Sequence, residues 1–168
     1  MSKSHLIESK LNPIDLMRNL IIMTVFLLST GRVFGAELYI PEIAAKSGQT
    51  IDISMKIDKV EDLAGIKIVL KYDSGLFRFL GTEKTEFTSP LMHVVNDKTP
   101  GRVILVMAGA KGISGKDIPL LLLKFKVTNK LRTQQATRFD ITGAELMSAE
   151  LKNIDCTTRV NRFLISPE

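Results

Sequence analysis

Residues 36–168 hold one histidine, His93, and one cysteine, Cys156. Together these side chains would supply a thiolate nucleophile and its general base. His93 stands in the run Leu91-Met92-His93-Val94, where no glycine loop or partner activates it. It is expected as a strand residue at a sheet edge, and Cys156 as a small residue near the C-terminus. Two such ligands fall short of the three or four that zinc takes, so no metal site is expected. The carboxylates are scattered, and no glycosidase pair can be argued from their spacing. Asp58, Glu61 and Asp62 lie close together without the order of a calcium loop; they are expected as solvated charges in a turn. Gly109-Ala110-Lys111-Gly112-Ile113-Ser114-Gly115 lacks both Walker spacing and a following helix. A flexible hairpin loop is expected there. No catalytic residue and no cofactor are expected; the sequence offers no enzyme.

Chemistry of another kind needs a surface, and the composition bounds it. The chain has 168 residues, enough for one domain, with 45% hydrophobic residues and no tryptophan. The first 35 residues carry Lys3, Lys10, Arg18 and Arg32 against Glu8 and Asp15. The remainder then holds 19 basic and 16 acidic groups, mixed along the chain. A nucleic-acid partner would need a clustered basic stripe, so none is expected.

Residues 1–35 are expected to be an export signal. Arg18 precedes the apolar run Leu20 to Leu28, and Val33-Phe34-Gly35 suits a signal peptidase, with cleavage between Gly35 and Ala36. The polar opening before Met17 suggests that Met17 is the true start. The apolar run is about half of the ~20 residues that span a bilayer as a helix. The mature chain, 36–168, is therefore expected to be secreted or periplasmic, with no stable membrane span after cleavage. Its single cysteine excludes an intrachain disulfide, so an apolar core must hold the fold.

Short apolar alternations separated by turn residues fill that mature chain. Ile51, Ile53, Met55 and Ile57 alternate with polar residues, and Ile66, Ile68, Leu70 and Tyr72 alternate with Lys67, Val69 and Lys71. Asp73-Ser74-Gly75 ends the second run. Further strands are expected at Leu38 to Ile40, Leu76 to Leu80, Leu91 to Val95, Arg102 to Ala108, Leu120 to Val127, Arg138 to Leu146 and Thr157 to Ile165. Ser47-Gly48-Gln49 and Asn96 to Gly101 are expected as turns, and Ala144 to Leu151 as more strand or a bend. This pattern predicts an all-β sandwich or barrel.

The segments "LAGIKIVLKYDSGLFRFLG", "GRVILVMAGAKGISGKD" and "LLLLKFKV", in this order, resemble the cohesin family. Tyr72-Asp73 and Phe125-Lys126-Val127 carry most of that likeness, which extends over about residues 37 to 165. The resemblance implies a single β-sandwich with jelly-roll topology that binds a dockerin module. It implies no calcium in this chain, since the calcium of such complexes belongs to the dockerin.

In cohesins one sheet face around these strands receives the dockerin helices. The alternation turns Val103, Leu105 and Met107 inward. It leaves Lys67, Val69, Lys71, Arg102, Ile104, Val106 and Ala108 outward, and with Gly109 they make the expected partner-binding face. Cohesins of type I carry Asn and Asp at the positions of Gly65 and Lys67, and Glu at that of Gly109. Without those acceptors, a more apolar, type II-like mode or a different exported protein is the expected partner. Two alternatives stay open: a carbohydrate-binding module of a polysaccharide-degrading system, and a structural subunit of an envelope assembly. The first needs exposed flat rings, and the chain has only Tyr39 and Tyr72 as tyrosines.

Overall fold

The computed structural model describes residues 35–128 and 131–167, so the expected signal segment, apart from Gly35, and the start at Met17 lie outside it. The strands are β1 (Ala36–Ile40), β2 (Ile43–Lys46), β3 (Thr50–Lys71), β4 (Phe77–Lys84), β5 (Met92–Thr99) and β6 (Arg102–Val127). They continue with β7 (Gln135–Thr137), β8 (Asp140–Ser148), β9 (Asn153–Ile154), β10 (Cys156–Val160) and β11 (Phe163–Ser166). No helix occurs among the described residues.

β3 and β6 pair antiparallel along nearly their whole length, from Thr50↔Lys126 to Lys71↔Arg102. Their two ends belong to different layers. The first half of β3 lies beside β1, and the second half of β6 beside β4. The other halves are flanked by β8 and β5. Register shifts between Val60 and Gly65 mark the passage from one layer to the other, since an unpaired extra residue bends a strand and sharpens its twist. The outcome is the jelly-roll β-sandwich that the resemblance implies. The smaller sheet β2-β11-β7 completes it.

Both halves of each long strand turn alternate residues inward. Ile51, Ile53, Met55, Ile57, Ile66, Ile68 and Leu70 of β3 are buried, as are Val103, Leu105, Met107, Leu123, Phe125 and Val127 of β6. Rings from both layers meet at one end. Phe125 stacks edge-on against Tyr72 at 5.0 Å and lies 4.9 Å from Phe139, which in turn lies 4.9 Å from Phe77 and Phe163. Tyr72 is half-buried, as an inward tyrosine at the end of its strand would be.

Several local expectations are corrected. The stretch from Gly109 to Gly115 is not a hairpin loop: it lies in the middle of β6, where Ile113 and Gly115 pair with Leu63 and Val60 and the ladder then jumps to Gly65↔Ala108. Its glycines allow close approach. A Cβ at Gly112 would sit 2.4 Å from the backbone carbon of Asp62, and one at Gly109 would sit 2.5 Å from Leu91 Cδ2. Asp58, Glu61 and Asp62 belong to the bent middle of β3, not to a turn. Asp58 accepts the Glu37 amide at 2.7 Å, while the Asp62 amide donates to Ser114 Oγ at 2.9 Å. β5 runs on to Thr99, and the turn shrinks to Pro100-Gly101, where Gly101 takes a positive φ of 80°. The expected strand from Thr157 to Ile165 is two, β10 and β11. It breaks beside the gap between β1 and β2, to which these strands pair in parallel.

The run Leu120-Leu121-Leu122-Leu123 hides a change of phase. Met55 faces Leu121, but the next residue, Lys56, faces Pro119, so Leu120 is the extra residue of a bulge. Ile118 and Leu120 are thereby buried on one phase, and Leu121, Leu123 and Phe125 on the other. The bulge frees carbonyls from the ladder, and the β4–β5 connection takes them up. Thr85 Oγ1 donates to the Pro119 carbonyl, and the fully buried Thr88 donates its hydroxyl to the Leu120 carbonyl at 2.8 Å. Among the described residues no buried side-chain polar atom is left without a partner, as native interiors require.

Candidate functional site

The register lays the outward residues of one layer in rows crossing β8, β3, β6 and β5. The first row is Asp140, Lys71, Arg102 and Thr99. Gly143, Val69, Ile104 and Asn96 form the second, and Glu145, Lys67, Val106 and Val94 the third. Met147, Gly65, Ala108 and Met92 form the fourth. The expected face is thus assembled from adjacent strands. Lys67, Lys71, Arg102, Val106 and Ala108 are exposed, while Val69 and Ile104 are half-buried among neighbours. Gly109 is off the outward alternation and half-buried, beneath Leu91.

Three strongly exposed members were not legible in the sequence. Met92, Val94 and Met147 are 75%, 61% and 37% exposed, and Val106 is 39%. With Val69, Ile104 and Ala108 they make an apolar field that crosses β8, β3, β6 and β5. Charge borders it: Asp140, Lys71 and Arg102 lie along one end, and Lys67 pairs with Glu145 at 2.8 Å on the β8 side. A transverse groove of about 560 Å³ runs over Gly65 between Met147 and Ala108, reaching Asn153 to Cys156 at its far end. Gly65 forms its floor because no side chain stands there. A Cβ at that position would already lie 3.2 Å from Met147 Cβ.

The outer face of the opposite layer has another character. Arg159 holds Glu37 through two hydrogen bonds of 3.0 and 2.9 Å and lies over the Tyr39 ring at 4.8 Å. The Tyr39 hydroxyl donates to Asp117, which also pairs with Lys56 at 3.1 Å. That bond to Asp117, with some burial, pushes the tyrosine pKa up to about 12. Lys124 pairs with Glu83 at 2.8 Å. Each of these exposed groups already has a partner, and such pairs are solvated surface.

The two residues with nucleophilic or basic chemistry stay apart. His93 lies in β5 with Nε2 2.8 Å from Thr82 Oγ1, and burial, then nearby Lys84, holds its pKa below the ordinary value. Cys156 lies in β10 beside Ala36, and burial pushes its thiol pKa up. A thiol so shifted is a poor nucleophile. No group of three or more His, Cys, Asp or Glu is placed to hold a metal among the described residues.

Comparison with known proteins agrees with this geometry. The cohesin domain model matches residues 36–163, and the chain belongs to the cohesin domain family. A search of curated proteins finds no match. Among solved structures, the fold resembles a type I cohesin–dockerin complex from Clostridium thermocellum, with a TM-score of 0.70 and 16% identity over 83% of this chain and 99% of that one. It also resembles a non-cellulosomal cohesin from the archaeon Archaeoglobus fulgidus, with a TM-score of 0.65 and 19% identity over 80% and 91%. A cohesin module from a family 33 glycoside hydrolase of Clostridium perfringens gives a TM-score of 0.68 at 14% identity over 80% and 98%.

Proposed function

We propose that the protein is an exported, non-catalytic docking module that binds a dockerin-like helical partner through the β8-β3-β6-β5 face. The contrast between its two outer faces carries this reading. One is mostly polar, with Glu37, Tyr39, Lys56, Lys124 and their partners paired among themselves, and carries Leu80 as an exposed large apolar side chain. The other gathers Met92, Val94, Val106 and Met147, four of the seven large apolar side chains that stay exposed among the described residues. An exposed apolar patch rimmed by charge is the mark of an interaction surface. Solved relatives are described as cohesins in complex with dockerins, which supports a partner of that class. The missing type I acceptors and the apolar β5 margin favour a partner helix that offers apolar side chains rather than hydrogen-bonding ones.

A glycan platform fits the rings less well. Tyr72 is turned edge-on to Phe125 and Tyr39 is covered by Arg159, which leaves Phe87 as the one exposed aromatic ring among the described residues. Export rests on the signal-like residues 1–35, with cleavage between Gly35 and Ala36.

Titrating the isotope-labelled protein with dockerin modules of types I and II tests the docking reading by NMR. Shifts confined to β5, β6, β3 and β8, and abolished by Val69→Asp, are expected. Binding that maps instead around Lys124 and Glu83, or no binding across the set, would overturn it.

A further inference from the structure

We propose that the α-ammonium created at Ala36 by cleavage after Gly35 is a structural charge, held by Asp155 at the seam of β1 and β10. The inference rests on the export part of the proposed function and is independent of what the docking face binds. Both β1 and the family match begin at Ala36. The Ala36 nitrogen donates to the Asp155 carbonyl at 2.8 Å, and Ala36 faces Cys156 as the first parallel pair of β1 and β10. In the uncleaved chain Ala36 is 5% exposed, and its backbone is tied into the seam by this bond.

Gly35 shows what adjoins that nitrogen. A Cβ there would lie 2.7 Å from the Asp155 carbonyl oxygen and 3.1 Å from Asp155 Cβ. Removing residue 35 opens a space directly beside the Asp155 side chain. Within the chain the Ala36 nitrogen is an amide with one proton, used on the Asp155 carbonyl. As an ammonium it keeps that bond and gains two donors and a positive charge. Asp155 is exposed, so its pairing with the ammonium is a solvent-screened contact at the rim of the seam. Among the described residues the Asp155 carboxylate has no hydrogen bond or ion pair of its own.

The other charged and titratable groups at this seam leave that role to Asp155. On β1, Glu37 is held by Arg159 of β10. On β3, Asp58 accepts the amides of Glu37 and Lys59 at 2.7 and 2.6 Å. On β10, burial pushes the Cys156 thiol pKa up. An ammonium held by a carboxylate has its pKa raised above the free value of about 7.7–8.0. Its stabilisation is then fully present below that free value and is lost as pH rises through the raised one. Processing would thereby strengthen the first strand, and the uncleaved chain would lack this contribution.

The full chain, secreted from a bacterial host, gives the test in two stages. N-terminal sequencing of the product should begin at Ala36; any other first residue overturns the proposal. The processed protein is then compared with the same protein acetylated at its α-amine, a group that restores the carbonyl and Cα of Gly35 without the charge. At about pH 6, below the ordinary amine range, the free amine should melt measurably higher, by about a degree or two, the order expected of an exposed pair. The gap should close by about pH 10, above that range, and should be small in Asp155→Asn at either pH. A gap that is absent, reversed, independent of pH or unchanged in Asp155→Asn overturns the ion pair. Neither stage depends on partner binding, so a failed docking reading would leave these outcomes as they are.

Discussion

Val94 of β5 stands directly opposite Val106 of β6, and both turn away from the core, at 61% and 39% exposure. In an antiparallel pair with one wet face, such positions ordinarily carry polar residues. Here they extend the apolar strip begun by Val69 and Ile104 to the margin of the sheet, where, among the described residues, β5 pairs with β6 alone.

Val94→Asp should therefore separate folding from binding. In the free protein the carboxylate stays in water, and the substitution costs little beyond strand propensity, a scale that spans about 1 kcal/mol. Under a docked partner the same charge is dehydrated without a counter-ion, at a cost of several kcal/mol. The melting temperature should hold within a few degrees while affinity falls by more than about tenfold, which is ~1.4 kcal/mol. Calorimetry on a dockerin that binds the wild type would show both, and an unfolded variant would mean that Val94 is needed in the core.

Phe125 and Lys124 are neighbours on β6 with opposite fates. Phe125 is fully buried among Tyr72, Phe77, Phe79 and Phe139, so Phe125→Ala should cost about 3–5 kcal/mol. Lys124→Ala removes only a solvated pair with Glu83 and should leave urea denaturation unchanged within error. The reverse ranking would place the core on the wrong side of this strand.

The bulge at Leu120 makes Thr88 a structural residue. Its hydroxyl oxygen accepts the Thr85 amide at 3.0 Å while its proton goes to the Leu120 carbonyl. Thr88→Val keeps the shape and strands both groups, at a cost of about 1–3 kcal/mol. Thr88→Ser keeps the hydroxyl and should recover much of that loss. Equal stability of the wild type and the valine variant in chemical denaturation would mean that water replaces the hydroxyl.

His93 gives the fold an acid-sensitive point. Burial, then Lys84, lowers its pKa in the folded state. The unfolded chain therefore takes up a proton first as pH falls through the ordinary value of about 6.5. The stability tied to neutral His93 is present above that value and is lost as pH falls through the lowered folded one. Between about pH 7.5 and pH 5, a window around that ordinary value, the melting temperature of His93→Gln should drop less than that of the wild type. Parallel curves would show that carboxylates alone govern the acid limb.

The sequence by itself determined the alternations and therefore the inner faces of single strands. Ile66, Ile68 and Leu70 or Val103, Leu105 and Met107 must share a side, because side chains in a strand alternate with period two whatever lies beside it. The same periodicity made Lys67, Val69, Ile104 and Val106 legible as outward, and the order of motifs was enough to bring the family into view. Only the tertiary structure decided which strands became neighbours. Met92-His93-Val94-Val95 is nearly apolar throughout, so its wet side was fixed only by pairing with β6 and by His93 reaching Thr82. Met147 entered the face because β8 closes against β3 from far along the chain. The phase change at Leu120 and the unbroken run of β6 through Gly109 to Gly115 depended on remote partners as well: Thr85 and Thr88 for freed carbonyls, Leu91 and Asp62 for close approach. Period two is a local property of an extended backbone; strand order, bulges and exposure are settled by which distant groups satisfy one another when the two layers close.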